Sequence, residues 1–108
     1  MAKERHYIGR DGKRILYNLE QISDSIYRAM DEGEKDKESA EESANIIDGI
    51  LNARYWNKEK EPELCDITDL VEIVLTAIGQ AGTSANYIAQ IEEESRRRQE
   101  SKSASRQR

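Results

Sequence analysis

The stretch HYIGRDGKRILYNLEQI, at residues 6–22, carries the strongest structural signals in this chain. Two short runs of β-favouring residues, 6–8 and 15–17, flank the pair Asp11-Gly12. Asp-Gly supplies the positive φ that tight turns require, so the pattern predicts a β-hairpin. Asn18 follows as the predicted N-cap of a helix, with Gln21 three residues later as in a capping box.

Apolar residues at helical spacing predict four helices downstream of the hairpin. The predicted N-caps of the later three helices are Ser39 (in a capping box with Glu42), Asp66, and Thr83 or Ser84; Gly33 and Gly82 are the predicted ends of the first and third helices. A hairpin of this size cannot bury its own apolar face. We therefore expect an α+β fold, a small bundle of about four helices capped by a short hairpin or three-stranded sheet.

Charge is distributed unevenly along the 108 residues, whose formal net charge is −5. Residues 1–14 carry +3, residues 15–94 carry −13 and residues 95–108 carry +5. The acidic body argues against nucleic acid as a partner, because phosphates would be repelled over most of the surface. The basic ends can still hold a small polyphosphate or an acidic partner. Segment 99–108 is predicted to be a disordered basic tail, after a domain at 6–98 and an N-terminal extension at 1–5.

Several classes of chemistry lack the residues that they need. The single cysteine, Cys65, and the single histidine, His6, argue against a zinc ribbon, a disulfide framework and a Cys-His nucleophile pair. We identify no paired catalytic carboxylates and no P-loop lysine, so we expect that the protein is not an enzyme and has no metal site. No apolar stretch approaches the roughly 18 residues of a membrane span, and no signal peptide is evident. A cytoplasmic location away from membranes is the expectation.

Three motifs resemble the ATP-cone family in their order and spacing. Residues 8–12 and 17–22 resemble its opening hairpin and first helix, 67–75 its third helix, and 85–88 the start of its last helix. The resemblance covers roughly residues 6–98. It implies a small nucleotide-binding regulatory domain, of the kind found at the ends of ribonucleotide reductase subunits and in a repressor of reductase genes. Such domains sense ATP against dATP and change oligomeric state.

Carried over by position, the resemblance implies a nucleotide pocket made by residues from the hairpin, the first helix and the third helix, with a late basic residue. These are Ile8, Gly9, Arg10, Asn18, Gln21, Ile22, Ile67, Thr68 and Arg97 (or Arg96). The implied effector is ATP or dATP, with Mg²⁺ as a possible companion. The implied partners are a ribonucleotide reductase subunit or a second copy of the chain.

Read from the residues alone, the same positions have simpler explanations. Arg10 fits a solvated surface arginine, Asn18 a helix cap, and Ile22 and Ile67 core positions. The chain also departs from the family, which has lysines where Gly9 and Gln21 stand here. Lys13, Arg14, Arg5 or the tail arginines are candidates to replace them. The alternative function is a cone-like protein-interaction module that no longer binds nucleotide.

Overall fold

Four helices and one hairpin make up the part of the chain that the structure, a computed structural model, describes: the backbone of residues 4–106 and the side chains of residues 4–97. The order is β1 (His6–Ile8), β2 (Arg14–Leu16), α1 (Leu19–Ala29), α2 (Lys37–Arg54), α3 (Leu64–Ala77) and α4 (Ala81–Arg106), with short 3₁₀ turns at Glu32–Glu34 and Trp56–Lys58. The predicted α+β class with a four-helix bundle is confirmed.

The hairpin forms around Asp11-Gly12 as predicted. Strands β1 and β2 pair antiparallel, and Gly12 has the left-handed φ of +82° that the turn requires. The predicted third strand is reduced to one parallel bridge between Ile8 and Glu63, beside the bond that the Ile8 amide donates to the Pro62 carbonyl at 2.9 Å. This bridge ties the hairpin to the segment that precedes α3.

The core lies where the four helices meet. Helix α1 packs against α2 and α4, and α3 packs against the same two helices. Five side chains, one or more from each of α1, α2 and α3, have no exposed surface: Ile26, Ile47, Leu51, Val71 and Leu75. Full burial of each such side chain contributes roughly 1.5–3 kcal/mol, so this cluster is the main source of stability.

Helix α1 has the predicted N-cap, Asn18, but it does not form the predicted capping box with Gln21 and it ends early. The Asn18 Oδ1 accepts a hydrogen bond from the Glu20 amide at 2.9 Å. The helix ends at Ala29 and not near Gly33, because Met30 adopts an extended conformation. The prediction of Ser39 and Glu42 as a capping box for α2 is wrong: Asp36 is the N-cap, and its carboxylate accepts from the Glu38 amide at 3.1 Å.

The boundaries of α3 and α4 also differ from the prediction. Glu63 is the N-cap of α3, and Asp66 is its capping-box partner, accepting from the Glu63 amide at 2.9 Å. Gly79 interrupts the chain after α3 with a φ of +88°, and α4 already begins at Ala81. Gly82 therefore does not end α3, and neither Thr83 nor Ser84 is the N-cap of α4, since all three lie inside that helix. The backbone of α4 continues past residue 98, where we predicted the domain to end, and the disorder of segment 99–108 stays a prediction.

Candidate functional site

A cleft of about 350 Å³ opens between the hairpin, α1, α3 and α4. Its volume is in the range of small-molecule sites, roughly 300–1,000 Å³. The lining residues are Tyr7 and Arg10 from the hairpin, Tyr17 and Asn18 before α1, Gln21, Ile22, Asp24, Ser25 and Arg28 from α1, Leu64, Ile67 and Thr68 from α3, and Tyr87, Ile91 and Glu94 from α4. The hairpin and the helices α1, α3 and α4 bring these residues together only in the folded chain.

One part of the cleft wall is apolar and aromatic. Ile22 and Ile67 are 9% and 5% exposed, and Tyr17 and Tyr87 are buried beside them. Burial, with a further contribution from the Glu94 carboxylate, raises the pKa of Tyr87 to about 12. Its phenol therefore stays protonated at neutral pH and can donate a hydrogen bond. Flat aromatic and aliphatic surfaces of this kind suit a purine ring.

Tyr17 is fixed from behind by a cluster outside the cleft. Its hydroxyl donates to Asp48 Oδ1 at 2.9 Å, and its ring lies 4.5 Å from the Trp56 ring. The Arg5 guanidinium lies over both rings, 4.7 Å from Tyr17 and 5.1 Å from Trp56, and donates to Asp48 and Asn52. Burial and the bond to Asp48 raise the pKa of Tyr17. These contacts hold Tyr17 in place as an aromatic wall of the cleft.

Polar groups at the start of α1 are largely engaged in local bonds. The amides of Glu20 and Gln21 donate to the side chain and the carbonyl of Asn18, at 2.9 and 3.1 Å. The hydroxyls of Ser25 and Thr68 donate to backbone carbonyls one turn earlier. Unpaired amides at the N-terminus of a helix attract phosphate. Two of them, the amides of Glu20 and Gln21, are already engaged, which leaves mainly side chains to offer donors in the cleft.

The charges of the cleft are balanced. Arg10 and Arg28 contribute two positive charges, and Asp24 and Glu94 contribute two negative ones. Within residues 4–97, neither arginine forms an ion pair, and only Arg28 makes a long contact, 3.5 Å to the Ser25 hydroxyl. Both guanidinium groups therefore remain available to a ligand. The positive electrostatic potential that they create is weakened by Asp24 and Glu94.

Six of the nine residues predicted from the resemblance line this one cleft: Arg10, Asn18, Gln21, Ile22, Ile67 and Thr68. The other three do not. Ile8 is engaged with Pro62, and Gly9 is buried in the turn, where a Cβ would lie 2.7 Å from Ile15 Cδ1. Arg97 lines an adjoining hollow of about 180 Å³ and pairs with Glu93 at 2.9 Å. That any of the nine contacts nucleotide stays a prediction.

The sequence reasoning missed several lining residues. Arg28 lies one turn from Asp24 and two turns from Gln21, so helical spacing alone could have placed all three on one face. Tyr7, Tyr17 and Glu94 reach the cleft through the tertiary arrangement of hairpin and α4. No local pattern in the sequence marks them.

A second, larger cleft of about 720 Å³ lies on the other side of the Tyr17 cluster, among Arg5, Arg14, Asn52, Trp56 and the segment 57–61. Its two arginines are already paired, Arg5 with Asp48 and Arg14 with Glu61. None of Arg5, Arg14 and Lys13 lines the first cleft, and the suggestion that they replace the missing family lysines stays a prediction. The two arginines of the first cleft, Arg10 and Arg28, have no such carboxylate partners among residues 4–97.

The fold is thus a small α+β helical bundle, with a hairpin beside a cleft of small-molecule size. Residues 5–99 match the profile of the ATP cone domain, so the chain belongs to the ATP-cone family. ATP cones are regulatory, non-catalytic domains that bind nucleotides, with ATP and dATP as their general effectors. A search of curated proteins found no matching relative.

Two further observations concern metals and membranes. Among the residues that the structure describes, no three His, Cys, Asp or Glu side chains are grouped to hold a metal ion. None of the described helices has both the length and the apolar character needed to cross a bilayer.

Proposed function

We propose that this chain binds ATP or dATP in the 350 Å³ cleft and works as a regulatory domain without catalysis. The observation that carries the proposal is the convergence of six family-implied residues on one cleft, in a chain that belongs to the ATP-cone family. Nothing in the proposal requires the cleft to hold a resident metal. Mg²⁺ would arrive with the nucleotide phosphates.

In this proposal the two parts of the cleft take different parts of the ligand. The base packs against Ile22, Ile67 and the tyrosine rings, which are buried or half-buried and preformed. The phosphates lie toward Arg10 and Arg28, whose guanidinium groups offer forked donors. Asn18 and Gln21 stand between these regions at the start of α1, where amide side chains can bind sugar or phosphate oxygens.

Regulation would follow from the helices that the ligand joins. The cleft takes residues from both α1 and α4, and Asn86 of α4 donates to the Ala29 carbonyl at the end of α1 at 2.9 Å. A nucleotide that binds one arrangement of these helices better shifts the population toward it. If a partner surface also depends on that arrangement, the two binding events are coupled. The proposed partners are a ribonucleotide reductase subunit or a second copy of the chain.

A calorimetric titration with ATP, dATP and GTP tests the proposal. The titration is carried out in about 0.15 M salt with Mg²⁺, where the Debye length is about 8 Å. We expect binding of the adenine nucleotides and a several-fold weaker interaction with ATP in Arg10→Ala. Lys13→Ala is the matched control, because Lys13 is an exposed cation of the same turn that does not line the cleft. Equal affinities for the two variants would contradict the placement of the phosphates.

The balanced charge of the cleft favours a second candidate function, a protein-interaction module without nucleotide. Gly9 and Gln21, in place of two family lysines, support the same alternative. Size-exclusion elution with and without nucleotide helps to separate the candidates. A shift in elution with ATP or dATP supports the regulator, whereas a failure to bind any nucleotide in the titration supports the module.

A further inference from the structure

We infer that the cleft selects its ligand by the nucleoside and gains little affinity from added phosphates, because Asp24 and Glu94 offset Arg10 and Arg28. This inference rests on the proposed function and names the determinant of selectivity within that site. It makes Asp24 and Glu94 specificity-determining residues. Neither was singled out by the sequence, and neither has a described ion-pair partner that would neutralise it.

The first step is the common location of the four charges. Asp24 and Arg28 are one turn apart on α1, Glu94 faces them from α4, and Arg10 reaches in from the hairpin turn. They line a volume of about 350 Å³, and a cube of that volume has an edge shorter than the Debye length of about 8 Å at physiological ionic strength. A phosphate that approaches either arginine therefore meets the field of a carboxylate that salt does not fully screen.

The second step is the shortage of other anion-binding groups at the cleft. The helix amides of Glu20 and Gln21 already donate to Asn18. Three arginines outside the cleft are paired with carboxylates, as Arg5–Asp48, Arg14–Glu61 and Arg97–Glu93. A triphosphate would therefore bring several negative charges to a site with no net charge to receive them.

The apolar wall has no such conflict. Tyr17 is fixed by Asp48 and Trp56, and Ile22, Ile67 and Tyr87 are buried around it. A preformed aromatic and aliphatic surface binds a base without paying to order flexible side chains. The nucleoside should therefore supply most of the affinity.

The test is a titration of the chain with adenosine, AMP, ADP and ATP by calorimetry, in EDTA at fixed ionic strength. For the unmodified chain we expect four dissociation constants within about fivefold of one another. Asp24→Asn and Glu94→Gln should each tighten ATP binding about three- to tenfold and change adenosine binding less than twofold, as expected for removing one negative charge near several others. Because both side chains are exposed, folding should be unaffected, which circular dichroism checks.

Matched controls are Glu20→Gln and Glu92→Gln, which remove the same charge from α1 and α4 outside the cleft. Both should change ATP affinity less than twofold. A wild-type preference for ATP over adenosine above about twentyfold would overturn the inference while leaving the proposed function intact. Asp24→Asn and Glu94→Gln behaving like the controls would do the same. Failure to bind any of the four ligands would contradict the nucleotide site itself.

Discussion

Replacing Tyr17 with phenylalanine removes one oxygen atom from the junction between the hairpin, α1 and α2. The hydroxyl donates to Asp48 Oδ1 at 2.9 Å, and the rest of the ring can keep its place 4.5 Å from Trp56 and under Arg5. Asp48 does not line the 350 Å³ cleft. The substitution therefore separates the stability of the aromatic wall from its contact with a ligand.

The expected loss of stability follows from what Asp48 retains. A hydrogen bond to a charged group contributes about 1.5–3 kcal/mol, but Asp48 still accepts from Arg5 at 2.8 Å and from Asn52 at 3.3 Å. The carboxylate is thus not left without partners, and we expect a loss of about 1–2 kcal/mol in the free energy of unfolding. For a domain of this size, that corresponds to a fall of roughly 5–10 °C in Tm.

Urea unfolding followed by the fluorescence of Trp56, the single tryptophan, measures this loss directly. Tyr27→Phe is the control, since the Tyr27 hydroxyl has no hydrogen-bond partner among the described residues and should cost less than about 0.5 kcal/mol. ATP affinity should stay within about twofold in both variants. If Tyr17→Phe were as stable as Tyr27→Phe, the bond to Asp48 would not be what holds the wall.

Two further predictions concern charge and pH. Gln21→Lys adds a cation to the cleft and should tighten ATP binding about three- to tenfold at low salt, with less gain at high salt. Ser23→Lys, on the same helix but outside the cleft, should not tighten ATP binding. Equal gains for the two variants would contradict the placement of Gln21. Tyrosines in the unfolded chain ionise near pH 10, and burial raises the pKa of Tyr87 to about 12. The protonated Tyr87 phenol therefore stabilises the fold fully below pH 10, and this contribution, about 2–3 kcal/mol in the free energy of unfolding, is lost as the pH rises through 12. The urea midpoint of the unmodified chain should fall over that interval, and Tyr87→Phe should make the fall smaller. Parallel profiles for the two chains would refute this.

The parts of the fold that depend on local chemistry could be predicted from the sequence. Asp11-Gly12 and Asn18 act on their immediate neighbours, and both play the predicted roles. The later boundaries were harder, because several capping residues lie close together. Which residue becomes the cap depends on which backbone is extended or left-handed, as at Asp36 and Gly79, and the sequence does not fix this.

The candidate site likewise has features that could be predicted from the sequence and features that could not. Residues of contiguous motifs, such as Arg10 in the turn and Ile67 in α3, could be assigned from the family resemblance and do meet in one cleft. The aromatic wall and the charge balance could not. Tyr17 is positioned by Asp48, 31 residues away, and Glu94 faces Asp24 only because α4 folds back against α1. Such properties arise from tertiary packing.

A ¹H–¹⁵N correlation spectrum of the chain, titrated with ATP and Mg²⁺, tests the central claim most directly, because it reports which amides a nucleotide affects. We predict that the largest shifts fall on the cleft, at Arg10, Asn18, Gln21, Thr68 and Tyr87, with dATP giving the same pattern. Shifts centred on Trp56 and the segment 57–61 would place the ligand in the other cleft. Either that result or a spectrum unchanged by millimolar nucleotide would contradict the account.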